Sequence, residues 1–158
     1  MLKPAAMYKD ILMEKFTSVL YTEDYYYYCG YPGTGLPEIV IEDGTYSYAI
    51  IDKNNNVIGF FTYQIFDLTD TVHNFGLFSF DKGNPIVGID VYYKMKELIK
   101  IHHKLEWRVV EDNPIKLMYD KFCAKYDGFV HRVHDATRNL KGQLVDSFIY
   151  EIITSKGD

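Results

Sequence analysis

The chain has 158 residues, a net charge of −5, and is 47% hydrophobic and 16% aromatic, so it is long enough for one domain with a real core and too apolar for disorder. Its basic residues are scattered without a dense stripe, which argues against nucleic acid, and the mild acidity is kinder to a cationic partner such as an amine. No run approaches the roughly 20 apolar residues needed to span a membrane, MLKPAAMYKD lacks the apolar run of a signal peptide, and the two cysteines, Cys29 and Cys123, fit a reducing compartment, so a cytoplasmic protein is expected.

Tyr8, Ile11, Leu12, Phe16, Val19 and Leu20 recur at helical spacing and predict an amphipathic helix over about residues 5–20. The tyrosine-rich TEDYYYYCGYPGTGLPE follows, with a loop expected over residues 29–37. The run Tyr25, Tyr26, Tyr27, Tyr28 has no periodicity that decides between helix and strand. Residues 46–51 and 57–66 predict a hairpin across the turn Asp52-Lys53-Asn54-Asn55-Asn56, and Gly59 inside the second strand allows a bulge or a close backbone approach.

A third strand is expected over residues 72–80, and Asp81-Lys82-Gly83-Asn84 then leads into a helix from Pro85 to about His102. Its predicted buried face is Val87, Gly88, Val91, Tyr92, Met95, Leu98, Ile99 and His102. Residues 107–110 form a fourth strand that runs into Asn113-Pro114. Asn113 caps the next helix, and Pro114 suits its first position, where a missing N–H costs nothing. Ile115, Met118, Tyr119, Phe122, Cys123 and Tyr126 share that helix's apolar face, which makes Cys123 a core residue. After Asp127-Gly128 come strands over residues 129–133 and 147–153, joined by a polar loop around HDATRNLKGQ. One mixed sheet covered by helices accommodates this order, with parallel pairing near its middle.

The helix starts at Asn84-Pro85 and Asn113-Pro114 are the chemically suggestive points. Each presents free N–H groups and a positive helix end. A pyrophosphate could be held by Lys82-Gly83-Asn84 and the helix that follows. The histidines make no metal site: His131 and His134 would face opposite sides of a strand, and His102-His103 close a helix, so no metal is expected.

The order of elements over residues 46–153, the hairpin YSYAIIDKNNNVIGFFTYQ, the junction LEWRVVEDNPIKLMYDKF and the closing DGFVHRVHD…SFIYEI together resemble the GNAT superfamily of N-acetyltransferases. The resemblance implies an α/β single domain over residues 1–158, with six to seven strands, three to four helices and a splay between residues 72–80 and 107–110. It also implies acetyl transfer from acetyl-CoA to a primary amine, on a small molecule or a peptide, by direct attack in a ternary complex. In that family the pantetheine arm pairs with the end of the first splayed strand, here Phe78 to Phe80. The pyrophosphate lies over Lys82, Gly83 and Asn84, an asparagine corresponding to Asn113 contacts coenzyme A, and a tyrosine corresponding to Tyr119 protonates the thiolate.

In the family's phosphate-binding signature Phe80 stands where Gln or Arg is usual, Gly83 matches a glycine, and Pro85 replaces a Gly or Ala. Tyr119 falls six residues after Asn113, where seven is usual. Glu111, at the end of the fourth strand, is the candidate base, with Asp67, Asp70 and His73 as others acting through water. The tyrosines from Tyr21 to Tyr31 pack on the core, with one or two reaching the acceptor. The alternatives are a GNAT-fold module that binds an acyl-CoA or a protein partner in a regulatory role, and an unrelated α+β interaction domain. A homodimer is compatible with the first two readings.

Overall fold

A computed structural model describes residues 1–29, 35–39 and 42–154 of the chain. The strand β1 (Leu2–Pro4) and a short 3-10 turn precede helix α1 (Lys9–Val19), so the first residues join the sheet edge instead of opening the helix early. Pro4 lacks an N–H and tolerates that edge position. The four consecutive tyrosines lie in helix α2 (Glu23–Cys29), a conformation their pattern leaves open. The loop expected after Cys29 falls largely outside the described residues.

The hairpin is present as β2 (Thr45–Ile51) and β3 (Val57–Phe66). Asp52 closes its turn by accepting from the N–H groups of Asn54 and Asn56, each at 2.8 Å. Gly59 permits a close backbone approach: a Cβ there would lie 2.9 Å from the Phe78 carbonyl oxygen. Strand β4 (Thr71–Ser79), helix α3 (Pro85–Ile101), strand β5 (Lys104–Val110) and helix α4 (Lys116–Lys125) follow the expected order. The closing strands β6 (Phe129–Arg138) and β7 (Leu144–Ile153) are longer than their apolar runs, because polar residues continue the pairing at Thr137 and Arg138. Most of HDATR is therefore strand, and the loop shrinks to residues 139–143.

The described strands form one seven-stranded sheet in the order β1-β2-β3-β4-β5-β7-β6. Only β4 and β5 run parallel, and their pairing holds just at Thr71 with Lys104 and Val72 with Leu105. Beyond those pairs the strands part, while β4 stays on β3 and β5 stays on β7 as far as Val110. A bulge marks the parting: Asn74 has φ +52° and the β3–β4 register slips between Thr62 and Gln64.

Alternation along the strands makes two cores. On the α3 and α4 face, Phe61, Val72, Leu105, Trp107 and Tyr150 pack against Val91, Met95, Leu98 and Phe122. On the other face, Leu12 and Phe16 of α1 and Tyr25 of α2 meet Ala49, Phe60 and Phe78. Cys123 is fully buried, with burial pushing its thiol up, which suits a core residue better than a reactive one. Among the described residues, no helix is long and apolar enough to cross a membrane.

Candidate active site

The splay opens a cleft of about 520 Å3 between β4 and β5. One wall is the end of β4, with Leu77, Phe78 and Ser79, and the other is β5 at Arg108 and Val109. The α3 start (Lys82, Gly83, Asn84, Val87, Gly88) lies at one end, and Asn113, Pro114, Ile115 and Tyr119 lie at the other side. Asp24, Tyr27 and Tyr28 of α2 also border it. Among the described residues neither strand edge pairs with another strand along the gap, so each offers backbone donors and acceptors to an extended ligand.

Local sequence builds the α3 end. The Asn84 side chain accepts from the Ile86 N–H at 3.1 Å and donates to Asp81 at 2.8 Å, capping a helix whose first residue is Pro85. Gly83 sits at φ +81°, a conformation that disfavours side chains, and the space where its Cβ would stand is open. The first-turn N–H groups of such a helix lack intrahelical partners and attract an anion. Lys82 projects from the same turn. Its ammonium pairs with Asp24 at 2.7 Å, which raises its pKa through that hydrogen bond and charge.

The Tyr119 ring packs edge-on against Trp107 and Tyr150, which themselves stack at 5.1 Å. Tyr119 is half-buried by accessible surface, yet it is hemmed in closely enough that desolvation lifts its phenol to about 12. Its hydroxyl has no hydrogen-bond partner among the described residues. Tyr150 differs, since its hydroxyl donates to Asp120 at 2.6 Å. Tyr119 is therefore the protonated phenol left available to the cleft.

Asn113 accepts from the Ile115 N–H at 3.0 Å and donates to the Tyr27 carbonyl at 3.4 Å. The cap forms as expected, but the first turn is tight and regular α-helix starts only at Lys116, two residues after Pro114. Tyr26 donates to Asp112 at 3.3 Å, so α2 is strapped across the mouth by two contacts.

The structure thus brings Phe78, Lys82, Gly83, Asn84, Asn113 and Tyr119 onto one cleft. Phe80 turns away and packs against Phe16 and Phe78. Glu111 lines a neighbouring depression with Glu23, Tyr26 and Asp112, facing Arg132 at 3.6 Å. Asp70 sits before β4, where it holds His102 at 2.7 Å and the His103 N–H at 2.8 Å. That is the paired end of β4 and β5, away from the splay, and Asp67 and His73 lie near the same end. His131 and His134 face Glu151 and Asp146, respectively, and no cluster able to hold a metal ion occurs among the described residues.

Sequence reasoning missed Asn74 and Arg108; of the tyrosines from which one or two were expected to reach the acceptor, Tyr27 and Tyr28 border the cleft. Asn tolerates a left-handed bulge, but no spacing marks one in advance. Arg108 and Tyr27 border both the main cleft and a second depression of about 500 Å3 that runs along β5.

No family model and no curated protein sequence matches the chain. Solved structures do. A spermidine N-acetyltransferase from Vibrio cholerae, in complex with CoA and spermine, superposes at TM-score 0.70 with 12% identity, covering 91% of this chain and 90% of that one. A probable acetyltransferase of the GNAT family from Chromobacterium violaceum gives TM-score 0.67 and 13% identity, covering 96% and 85%. The chain has the GNAT fold. At such identities the shared property is the architecture.

Proposed function

We propose that this chain is an acetyl-CoA-dependent N-acetyltransferase acting on a primary amine by direct attack. The observation that carries the reading is one cleft with an anion-seeking helix start at one end and a free, protonated tyrosine beside its middle. The CoA and spermine bound to the Vibrio cholerae structure agree with it. The residues fit acetyl-CoA: the Gly83 turn and the α3 start suit a pyrophosphate, and the open β4 edge at Leu77, Phe78 and Ser79 suits the amide-bearing arm.

In this reading the acceptor nitrogen attacks the thioester carbonyl carbon, the C–N bond forms and the C–S bond breaks. Tyr119 gives its hydroxyl proton to the departing sulfur. The proton lost by the amine leaves to solvent. Glu111 takes it only through water, because its carboxylate lies in the adjoining depression.

Titration calorimetry with acetyl-CoA, followed by a screen of amine acceptors, tests the proposal. Absence of acetyl-CoA binding overturns it. A second reading, a module that binds without transferring, is favoured by Asp24, whose carboxylate holds Lys82 at the phosphate end. Acetyl-CoA binding without turnover on any acceptor selects that reading.

A further inference from the structure

The depression along β5 is the natural seat for the acceptor, since it meets the acetyl-CoA cleft at Tyr27, Arg108 and Val109. Its charges decide what it can take. Among its described lining residues the carboxylate is Glu106, and it pairs with Lys104 at 2.9 Å. The carboxylates of the adjoining depression are engaged as well: Glu111 faces Arg132 at 3.6 Å, Asp112 accepts from Tyr26 at 3.3 Å, and Glu23 engages the Tyr27 hydroxyl. Arg108 is different. It is exposed, its Nε donates to the buried Ser147 Oγ at 2.9 Å, and its guanidinium has no carboxylate partner among the described residues.

The Ser147 contact fixes the planar group and leaves its terminal N–H fork unused. Such a fork matches an oxyanion in a bidentate manner. A second cation in the same place would meet like charge. We infer that the acceptor carries an oxyanion, in the first instance a carboxylate, close to its amine, and that Arg108 binds it. This rests on the acyltransferase reading above and narrows it, toward an amino acid rather than the polycation seen in the Vibrio cholerae structure.

The test uses the common amino acids, each beside its amide, with phosphoethanolamine and spermidine as further arms. Wild-type protein is expected to favour the free acid over its amide by roughly 10- to 100-fold in kcat/KM, the scale of a hydrogen-bonded charge pair. Arg108→Gln should collapse that ratio toward one, Arg108→Lys should keep part of it, and Arg108→Glu should turn preference toward spermidine. Preference for phosphoethanolamine keeps the Arg108 assignment and makes the oxyanion a phosphate. Binding of N-acetyl amino acids to the CoA complex, by calorimetry, gives a readout independent of turnover and should weaken in Arg108→Gln by a similar factor. Better use of amides or spermidine than of acids by wild type overturns the inference, as does an acid-to-amide ratio that Arg108→Gln leaves intact. Absence of any acid among the acetylated or bound compounds also overturns it. Acetyl-CoA binding separates the two failures: where acetyl-CoA binds and only uncharged or cationic amines react, this inference alone falls.

Discussion

The chain contains the same tripeptide twice, Asn-Pro-Ile at residues 84–86 and 113–115, and both copies border one cleft. Both asparagines accept from the N–H two residues on, at 3.1 and 3.0 Å. The likeness ends there. Asn84 spends its amide on Asp81 in its own turn, whereas Asn113 spends it on Tyr27 of α2. Before Asn84 come Lys82 and an open Gly83; before Asn113 comes Asp112, which accepts from Tyr26. The first end keeps an open turn at Gly83, with Lys82 beside it paired to Asp24, and the second is braced by α2 through Tyr27 and Asp112. The same tripeptide gives the same asparagine hydrogen bond, and the neighbours decide whether the turn before the helix stays open or is braced.

The largest expected effect tests the braced end. Tyr119→Phe keeps the ring packed on Trp107 and Tyr150 but removes the proton. Turnover should fall by roughly 10²- to 10⁴-fold, with acetyl-CoA affinity and melting temperature nearly unmoved. Turnover within about twofold of wild type under chemistry-limited conditions would remove the acid role. The pH dependence sharpens the same point. Burial lifts this phenol from 10.0 to about 12, so Tyr119 holds its proton throughout the neutral and mildly alkaline range. An alkaline limb of kcat centred near 10 that disappears in Tyr119→Phe would contradict this. The unfolded phenol ionises first, so this shift favours the native state below about 10, and the benefit is lost as pH rises through about 12.

The open turn at Gly83 should respond next. Gly83→Asp puts a carboxylate where phosphates are proposed and should weaken acetyl-CoA binding by roughly 10- to 100-fold. Gly83→Ala is the control, because its Cβ meets nothing and only the left-handed strain of about 1 kcal/mol is added. Calorimetry that shows equal losses for Ala and Asp would mean the turn matters for shape and not for charge.

Removing the two caps compares the ends directly. Asn84→Ala and Asn113→Ala should each cost about 1 kcal/mol of stability in a denaturant melt. Asn84→Ala should act mainly on acetyl-CoA affinity, and Asn113→Ala mainly on kcat, since it also frees α2 from the junction. Interchangeable kinetic effects would erase the distinction between the two ends.

The smallest effect concerns Lys82, which is exposed and screened. Lys82→Ala should weaken acetyl-CoA by roughly twofold to fivefold at low salt and less at high salt. Asp24→Asn should instead tighten binding, because it frees the ammonium and removes a carboxylate from the phosphate end. Weaker binding in Asp24→Asn would show that the pair orders the site and does not obstruct it.

Much of this contrast was readable from the chain, and the reasons are local. Gly83 and the two asparagines act through turn chemistry that spans a few residues. Tyr119 falls on the apolar face by the register of its helix, and its acid role was implied by the family resemblance alone. Phe80 was read in the same way as Phe78, but it falls just beyond the end of β4, where its ring packs against Phe16 and Phe78 and does not line the cleft. Glu111 was placed at the end of the correct strand, and only the course of β6 and β7 beside it shows that a separate depression surrounds it. Nothing near Arg108 in sequence signals its place at the cleft, since Ser147 and Tyr27 come to it from distant segments.

Periodicity and turn residues by themselves determined the hairpin, the α3 and α4 helices and the two Asn-Pro starts, because each depends on contacts among residues close in the chain. The tertiary structure decided the rest. The tyrosines of α2 become helical where Phe16, Phe60 and Phe78 surround Tyr25 and Tyr28, a long-range burial that a run of four identical side chains cannot encode. The splay exists because β4 and β5 are each satisfied on their outer side, by β3 and β7, and so can part after two residue pairs. That Arg108 has no carboxylate partner among the described residues is likewise tertiary: a counter-charge is present or absent only once separate strands are brought together in space.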